Sequence, residues 1–246
     1  MKRKIFLFDF DSTLVTVETL DELLKKALVN HPQKEHLSAE IEAITNAGMS
    51  GELAFRESLV RRMQIANIHQ AYIDALGHDF THFITDSIPE VIHILLEAGH
   101  KVVIVSGGFR ELILPVAEML CIPPEDCFAN EFQKENGVVI GVDLTNPLSE
   151  NGGKTKISEK LFAENDAMEV IIIGDGMSDA EPFLQGKASE FWGFFANVRR
   201  PKVEEKATRL FFSGEEFLQF VQEKYTKKEE KKEHFDLGKT IRHNDS

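Results

Sequence analysis

Lys4-Ile-Phe-Leu-Phe-Asp-Phe-Asp-Ser-Thr-Leu14 is the stretch that decides the fold. Ile5 to Phe8 run apolar without alternation and stop at Asp9 and Asp11. A continuous apolar run of this length suits a strand covered on both faces, as in a parallel sheet. Carboxylates at the edge of a core need a cation, a hydrogen-bond donor or a raised pKa to be tolerated. Asp at a strand end also forms turns and caps helices, so these residues alone leave a structural and a chemical reading open.

Two further runs behave alike. Lys101-Val-Val-Ile-Val-Ser-Gly-Gly108 and Glu169-Val-Ile-Ile-Ile-Gly-Asp-Gly-Met-Ser-Asp179 each stop at a small polar or acidic residue. In open parallel sheets ligands bind beyond the carboxyl ends of the strands. That rule places Asp9, Asp11, Ser106, Asp175 and Asp179 where a ligand would sit. Asn151-Gly-Gly-Lys-Thr-Lys-Ile157 adds a cation just before a helical pattern, although its spacing is not that of a Walker loop. Beside acids and a hydroxyl at strand ends, Lys154 becomes a phosphate ligand to test; alone it reads as a surface charge.

The whole chain sets limits. Its 246 residues, 42% of them hydrophobic, can bury a sizeable core. A formal net charge of −13 argues against a nucleic-acid surface, which needs a basic patch. An acidic protein that handles an anion must invert its charge locally, with a metal, a few Lys or Arg, and helix N-termini. Cys121 and Cys127 match no zinc spacing and no disulfide framework. The apolar stretch near the N-terminus is short and broken by Asp9 and Asp11, so neither a signal peptide nor a membrane span is expected, and the expected location is cytoplasmic.

Between the first strand and Ser87 the patterns are helical. Thr19-Leu-Asp-Glu22 has capping-box spacing and opens a run to about Val29. Leu37 to Ala47 is expected to stop at Gly48, and further helices are expected over Gly51 to Ile65 and Ile68 to Leu76. From Ile88 the rhythm turns to helix then strand, with Pro115 expected to end or kink a turn and Asn136-Gly137 to make a hairpin within a β excursion from Phe128 to Asp143. The expected architecture is α/β: a doubly wound, mostly parallel sheet interrupted by a helical insert. Residues 1–14 and 86–223 form the core, 15–85 the cap, and 224–246 a charged, solvated tail.

Asp9-Phe-Asp-Ser-Thr, Ser106-Gly-Gly, Lys154 and Gly174-Asp-Gly-Met-Ser-Asp179 resemble, in order, the four motifs of the haloacid dehalogenase superfamily. Within it the chain most resembles the phosphoserine phosphatase family, because Glu18, Met49, Phe55 and Arg62 stand in the helical insert at that family's spacing. The resemblance implies a Mg²⁺-dependent phosphomonoester hydrolase that works through an aspartyl phosphate. Asp9 would be nucleophile and metal ligand, with Asp175 and the backbone carbonyl of Asp11 completing the protein's metal ligands and Asp179 in support. The Asp11 side chain would act as general acid and base, and Ser106, Gly107 and Lys154 would hold the phosphoryl oxygens. Arg62 would take a carboxylate and Glu18 an ammonium group, with Met49 and Phe55 closing over them; the partner is therefore a small phosphorylated amino acid.

Ser178 departs from the Asn usual in the last motif, which shortens its hydrogen-bond reach in the substrate site. Asn197 and Arg200 resemble a loop near the active site of some members. The competing expectations are a sibling phosphatase or phosphotransferase for another small phosphomonoester, and a receiver-like module that accepts a phosphoryl group. The second has no use for Asp11 or for the insert.

Overall fold

A computed structural model describes residues 2–164 and 168–226. Six strands, β1 (Lys4–Phe8), β2 (Lys101–Phe109), β3 (Cys127–Asn130), β6 (Glu169–Gly174), β7 (Glu190–Phe194) and β8 (Arg209–Phe211), form a sheet in the order β3-β2-β1-β6-β7-β8. Every neighbouring pair in it is parallel. The order reverses direction at β1, so the crevice beyond its carboxyl end is the topological switch point of the sheet.

Both faces of this sheet are covered, which is why its strands read as unbroken apolar runs. Phe6, Phe8, Ile104, Ile171, Ile173, Trp192 and Phe194 face one side, against α5 (Ile88–Glu97), α6 (Arg110–Met119) and the last helix (Gly214–Tyr225). Ile5, Leu7, Val103, Val105, Ile172 and Phe191 face the other, against α7 (Gly153–Glu164) and α8 (Met177–Leu184). Each such side chain contributes about 1.5–3 kcal/mol by leaving water. Four helices, α1 (Thr19–Ala27), α2 (Lys34–Ser50), α3 (Phe55–Met63) and α4 (Gln70–Asp79), stand between β1 and α5. Their inner residues Leu20, Leu24, Ile41, Leu59 and Ile73 join the first of the two cores.

Several expected boundaries move. The helix expected to stop at Gly48 runs to Ser50 and ends at Gly51, whose φ of 79° forms a left-handed cap. Gly48 serves packing instead: a Cβ there would lie 2.7 Å from Ser58 Oγ on α3. Consequently α3 begins at Phe55, not at Gly51. The Thr19–Glu22 capping box does not form, because the Thr19 N–H donates to Asp11 Oδ1 at 2.7 Å. Pro115 lies inside α6 without ending it. The β excursion divides: β3 joins the main sheet, while β4 (Phe132–Glu135) and β5 (Val138–Val142) form a hairpin. Asn136 and Gly137 turn it at φ of 51° and 78°. The last helix reaches Tyr225, which is buried, so the chain stays packed past Lys224. Residues 227–246 of the expected tail lie outside the described residues.

Cys121 and Cys127 are both free, as their spacing suggests. Among the described residues no helix is long and apolar enough to cross a membrane.

Candidate active site

The chain turns sharply as it leaves β1. Asp11 is extended at φ −64° and ψ 137°, Ser12 is left-handed at φ 56°, and the Val15 N–H donates back to the Phe10 carbonyl at 3.1 Å. Asn197 holds this turn in place by donating to the Ser12 carbonyl at 3.1 Å and to Thr85 Oγ1 at 2.8 Å. The turn sets both acids over the crevice. Asp9 is 5% exposed and Asp11 9%.

Lys154, at the start of α7, donates from Nζ to Asp9 Oδ1 and to Asp179 Oδ1, both at 2.6 Å. The Phe10 N–H also reaches Asp9 Oδ1, at 2.7 Å. Asp179 is closed off further by the Gly176 N–H, which donates to its Oδ2 at 2.9 Å. Asp175 receives Arg200 Nε on Oδ2 at 2.8 Å, while its Oδ1 is buried with no hydrogen-bond partner among the described residues. Carboxylate oxygens of Asp9, Asp175 and Asp179 lie within 4.8 Å of one another. A buried cluster of acids with an orphaned oxygen fits a hard divalent cation.

The electrostatics agree with that fit. Burial, then the Asp179 carboxylate, pushes Asp9 well above the ordinary carboxylate range, against the pull of Lys154. Burial also raises Asp175 to about 6 despite Arg200. Burial raises Asp11, opposed by the Thr19 N–H. Burial alone would depress Lys154, but the Asp179 and Asp9 carboxylates outweigh it and hold the ammonium above its ordinary pKa. The acids outnumber this lysine, so a further positive charge would let Asp9 and Asp175 ionise together.

One cavity of about 90 Å³ is lined by Asp9, Asp11, Glu18, Met49, Phe55, Arg62, Ser106, Gly107, Lys154 and Ser178 together. Asp175 and Asp179, both fully buried, do not line it. Ser106 accepts the Gly108 N–H at 2.9 Å, and Asn130 supports the same loop by donating to the Gly107 carbonyl at 2.9 Å. Glu18 accepts from Ser12 Oγ at 2.8 Å. Burial, then the charges of Asp11 and Asp175, pushes Glu18 up to about 8.

Asp21, Thr45 and Asn151, not foreseen as parts of the site, complete it around Arg62 and Phe55. Arg62 is 6% exposed, and its Nη1 donates to Asp21 Oδ1 at 2.9 Å and to Thr45 Oγ1 at 3.0 Å. Thr45 in turn donates to Asp21 Oδ2 at 2.7 Å. The Nε of Arg62 is buried with no partner among the described residues, so Asp21 and Thr45 pin only the Nη1 end of the guanidinium. In the sequence Asp21 reads only as an acid in the first turn of α1. Asn151 accepts the Phe55 N–H at 2.8 Å and fastens the start of α3 to the loop before α7.

The Phe55 ring lies against Gly107, where a Cβ would come within 2.4 Å of its Cζ. Gly107→Ala is therefore expected to displace Phe55 and loosen the cavity, raising KM with a smaller fall in kcat. Steady-state kinetics checks this, and an unchanged KM would show that the ring gives way freely.

Acids, a hydroxyl and a lysine gathered beyond adjacent parallel strands make an anion-handling site of the phosphoryl-transfer class. The chain belongs to the haloacid dehalogenase-like hydrolase family, whose model matches residues 6–185, and it is a phosphoric monoester hydrolase. It is similar to the phosphoserine phosphatase of Rattus norvegicus, at 33% identity over 81% of this chain and 85% of that one. Among solved structures it is similar to a phosphoserine phosphohydrolase-like protein from Francisella tularensis subsp. tularensis SCHU S4, with a TM-score of 0.81 and 33% identity over 89% of this chain and 99% of that one. A phospho-aspartyl intermediate analogue of phosphoserine phosphatase matches the same shares at a TM-score of 0.74 and 28% identity.

Proposed function

We propose that this protein hydrolyses O-phosphoserine to serine and inorganic phosphate in a Mg²⁺-dependent reaction with Asp9 as nucleophile. The carrying observation is that Arg62 and Glu18, a cation and an acid suited to the two ends of an amino acid, line the same cavity as Asp9 and Lys154. Phosphoserine phosphatases among the relatives support the substrate class.

In this reading an Asp9 oxygen attacks phosphorus while the bond from phosphorus to the serine oxygen breaks. The leaving oxygen takes the proton of Asp11, which burial keeps protonated above the ordinary carboxylate range. Water then attacks the aspartyl phosphate and returns a proton to Asp11, so Asp9 and Asp11 end as they began. Lys154 and Ser106 hold the phosphoryl oxygens as charge spreads over them. Asp9, Asp175 and the Asp11 carbonyl would hold Mg²⁺, which supplies the positive charge that lets one anion approach another. Asp179 keeps Lys154 in place through its 2.6 Å bond. The helices of residues 15–85 act as a cap, with Phe55 and Met49 excluding water from the bound substrate.

The test is phosphate release from a panel of phosphomonoesters, both O-phosphoserine enantiomers included, with Mg²⁺ and then with excess EDTA. An O-phosphoserine enantiomer is expected to lead the panel, and EDTA to reduce its turnover to background. Preference for an ester that lacks the amino group and carboxylate would sink the substrate reading; turnover that survives EDTA would sink the metal reading.

A further inference from the structure

We propose that Arg200 determines which divalent cation the acidic cluster accepts, by withholding one oxygen of Asp175 from it. The inference rests on the reading of Asp9 and Asp175 as metal ligands. Arg200 Nε donates to Asp175 Oδ2 at 2.8 Å, and the Arg200 side chain is 13% exposed. Its Nη2 lies 3.8 Å from Glu18 Oε1. The loop that carries Arg200 is anchored by Asn197 to Ser12 and Thr85. Only Oδ1 of Asp175, buried and unpartnered, remains for a cation.

The other acids are rationed in the same way. On Asp9, Lys154 and the Phe10 N–H both reach Oδ1, which leaves Oδ2. On Asp179 both oxygens are taken, one by Lys154 and one by the Gly176 N–H. The cluster therefore offers single oxygens from two carboxylates, and no carboxylate is free to clasp an ion with both. Mg²⁺ demands a compact octahedral shell and accepts such ligands, whereas Ca²⁺ takes a larger shell in which bidentate carboxylates are favoured. Without Arg200, Asp175 Oδ2 is released and can join Oδ1 on a larger ion.

Titration calorimetry of the full chain with MgCl₂ and, separately, CaCl₂, without substrate, tests this. In Arg200→Met the ratio of Ca²⁺ to Mg²⁺ affinity is expected to rise by about 10- to 100-fold over wild type. Arg200→Gln, whose shorter side chain stops short of Asp175, is expected to shift the ratio in the same direction, and it carries the test if circular dichroism shows Arg200→Met unfolded. Equal shifts for both ions would reduce Arg200 to a simple charge effect and overturn the proposal, as would an unchanged ratio. If Asp175→Asn leaves wild-type cation binding intact, the underlying metal reading fails first, and the proposal with it.

Discussion

Asp9→Asn is expected to abolish phosphate release from O-phosphoserine, with turnover lower by on the order of 10⁴-fold or more. The amide keeps the shape of the carboxylate and an oxygen that can accept from Phe10 and Lys154 as Asp9 Oδ1 does. It lacks the negative charge and the nucleophilicity needed to attack phosphorus. Folding should not suffer. Because Asp9 has a folded pKa raised by burial, its ionisation opposes folding as pH rises from about 3.8, the ordinary value, towards the folded one. Below that window the carboxyl is protonated in both states and the penalty vanishes. Removing the charge at neutral pH is therefore expected to leave Tm in EDTA equal to wild type or higher. Phosphate release and thermal melts check the two halves, and acid quenching during turnover should trap a hydroxylamine-labile phosphoryl group on wild type but not on the variant. More than about a hundredth of wild-type turnover in Asp9→Asn would remove Asp9 from the nucleophile's role, given the size of loss expected for one.

Arg62→Lys is expected to raise KM for O-phosphoserine by about 30-fold or more, the lower end of what losing one partner of a buried charge pair costs. Lysine carries the charge and can reach towards Asp21, but it has no second planar edge to present to a carboxylate. The guanidinium divides its donors, with Nη1 on Asp21 and Thr45 and an unpartnered Nε left over. Arg62→Ala should be worse for a different reason. It strands the buried Asp21 carboxylate with only Thr45 beside it, and breaking such a pair costs about 3–5 kcal/mol of stability. The two effects separate with a substrate that has no carboxylate, O-phosphoethanolamine. Arg62→Lys should barely change turnover of that ester, whereas a merely structural defect would depress both. An unchanged KM for O-phosphoserine in Arg62→Lys would move the carboxylate subsite elsewhere.

The parts of the site that could be read from the chain share one cause. β1, β2 and β6 are central strands covered on both faces, so burial wrote them as Val, Ile, Leu and Phe without interruption. The runs of β1 and β6 end just before Asp9 and Asp175, while β2 carries Ser106 within its buried span and continues to Phe109. Gly48 looks like a terminator because a glycine interrupts the helical pattern, while in the fold it makes room for the crossing with Ser58. The Thr19 capping-box spacing does not yield a capping box because a distant donor-acceptor pair, the Thr19 N–H on Asp11, takes the place of the local one.

Local pattern thus determined the alternating α/β architecture, the helical insert and the residues at the strand ends, since burial and backbone geometry leave periodic marks on neighbouring positions. The tertiary structure decided the rest. It set Asp21, Thr45 and Arg62, from three different helices, into one buried hydrogen-bonded unit, and it set Arg200 on Asp175. Pairs of that kind satisfy charges across space, and a charge leaves no mark in the sequence of the partner that neutralises it.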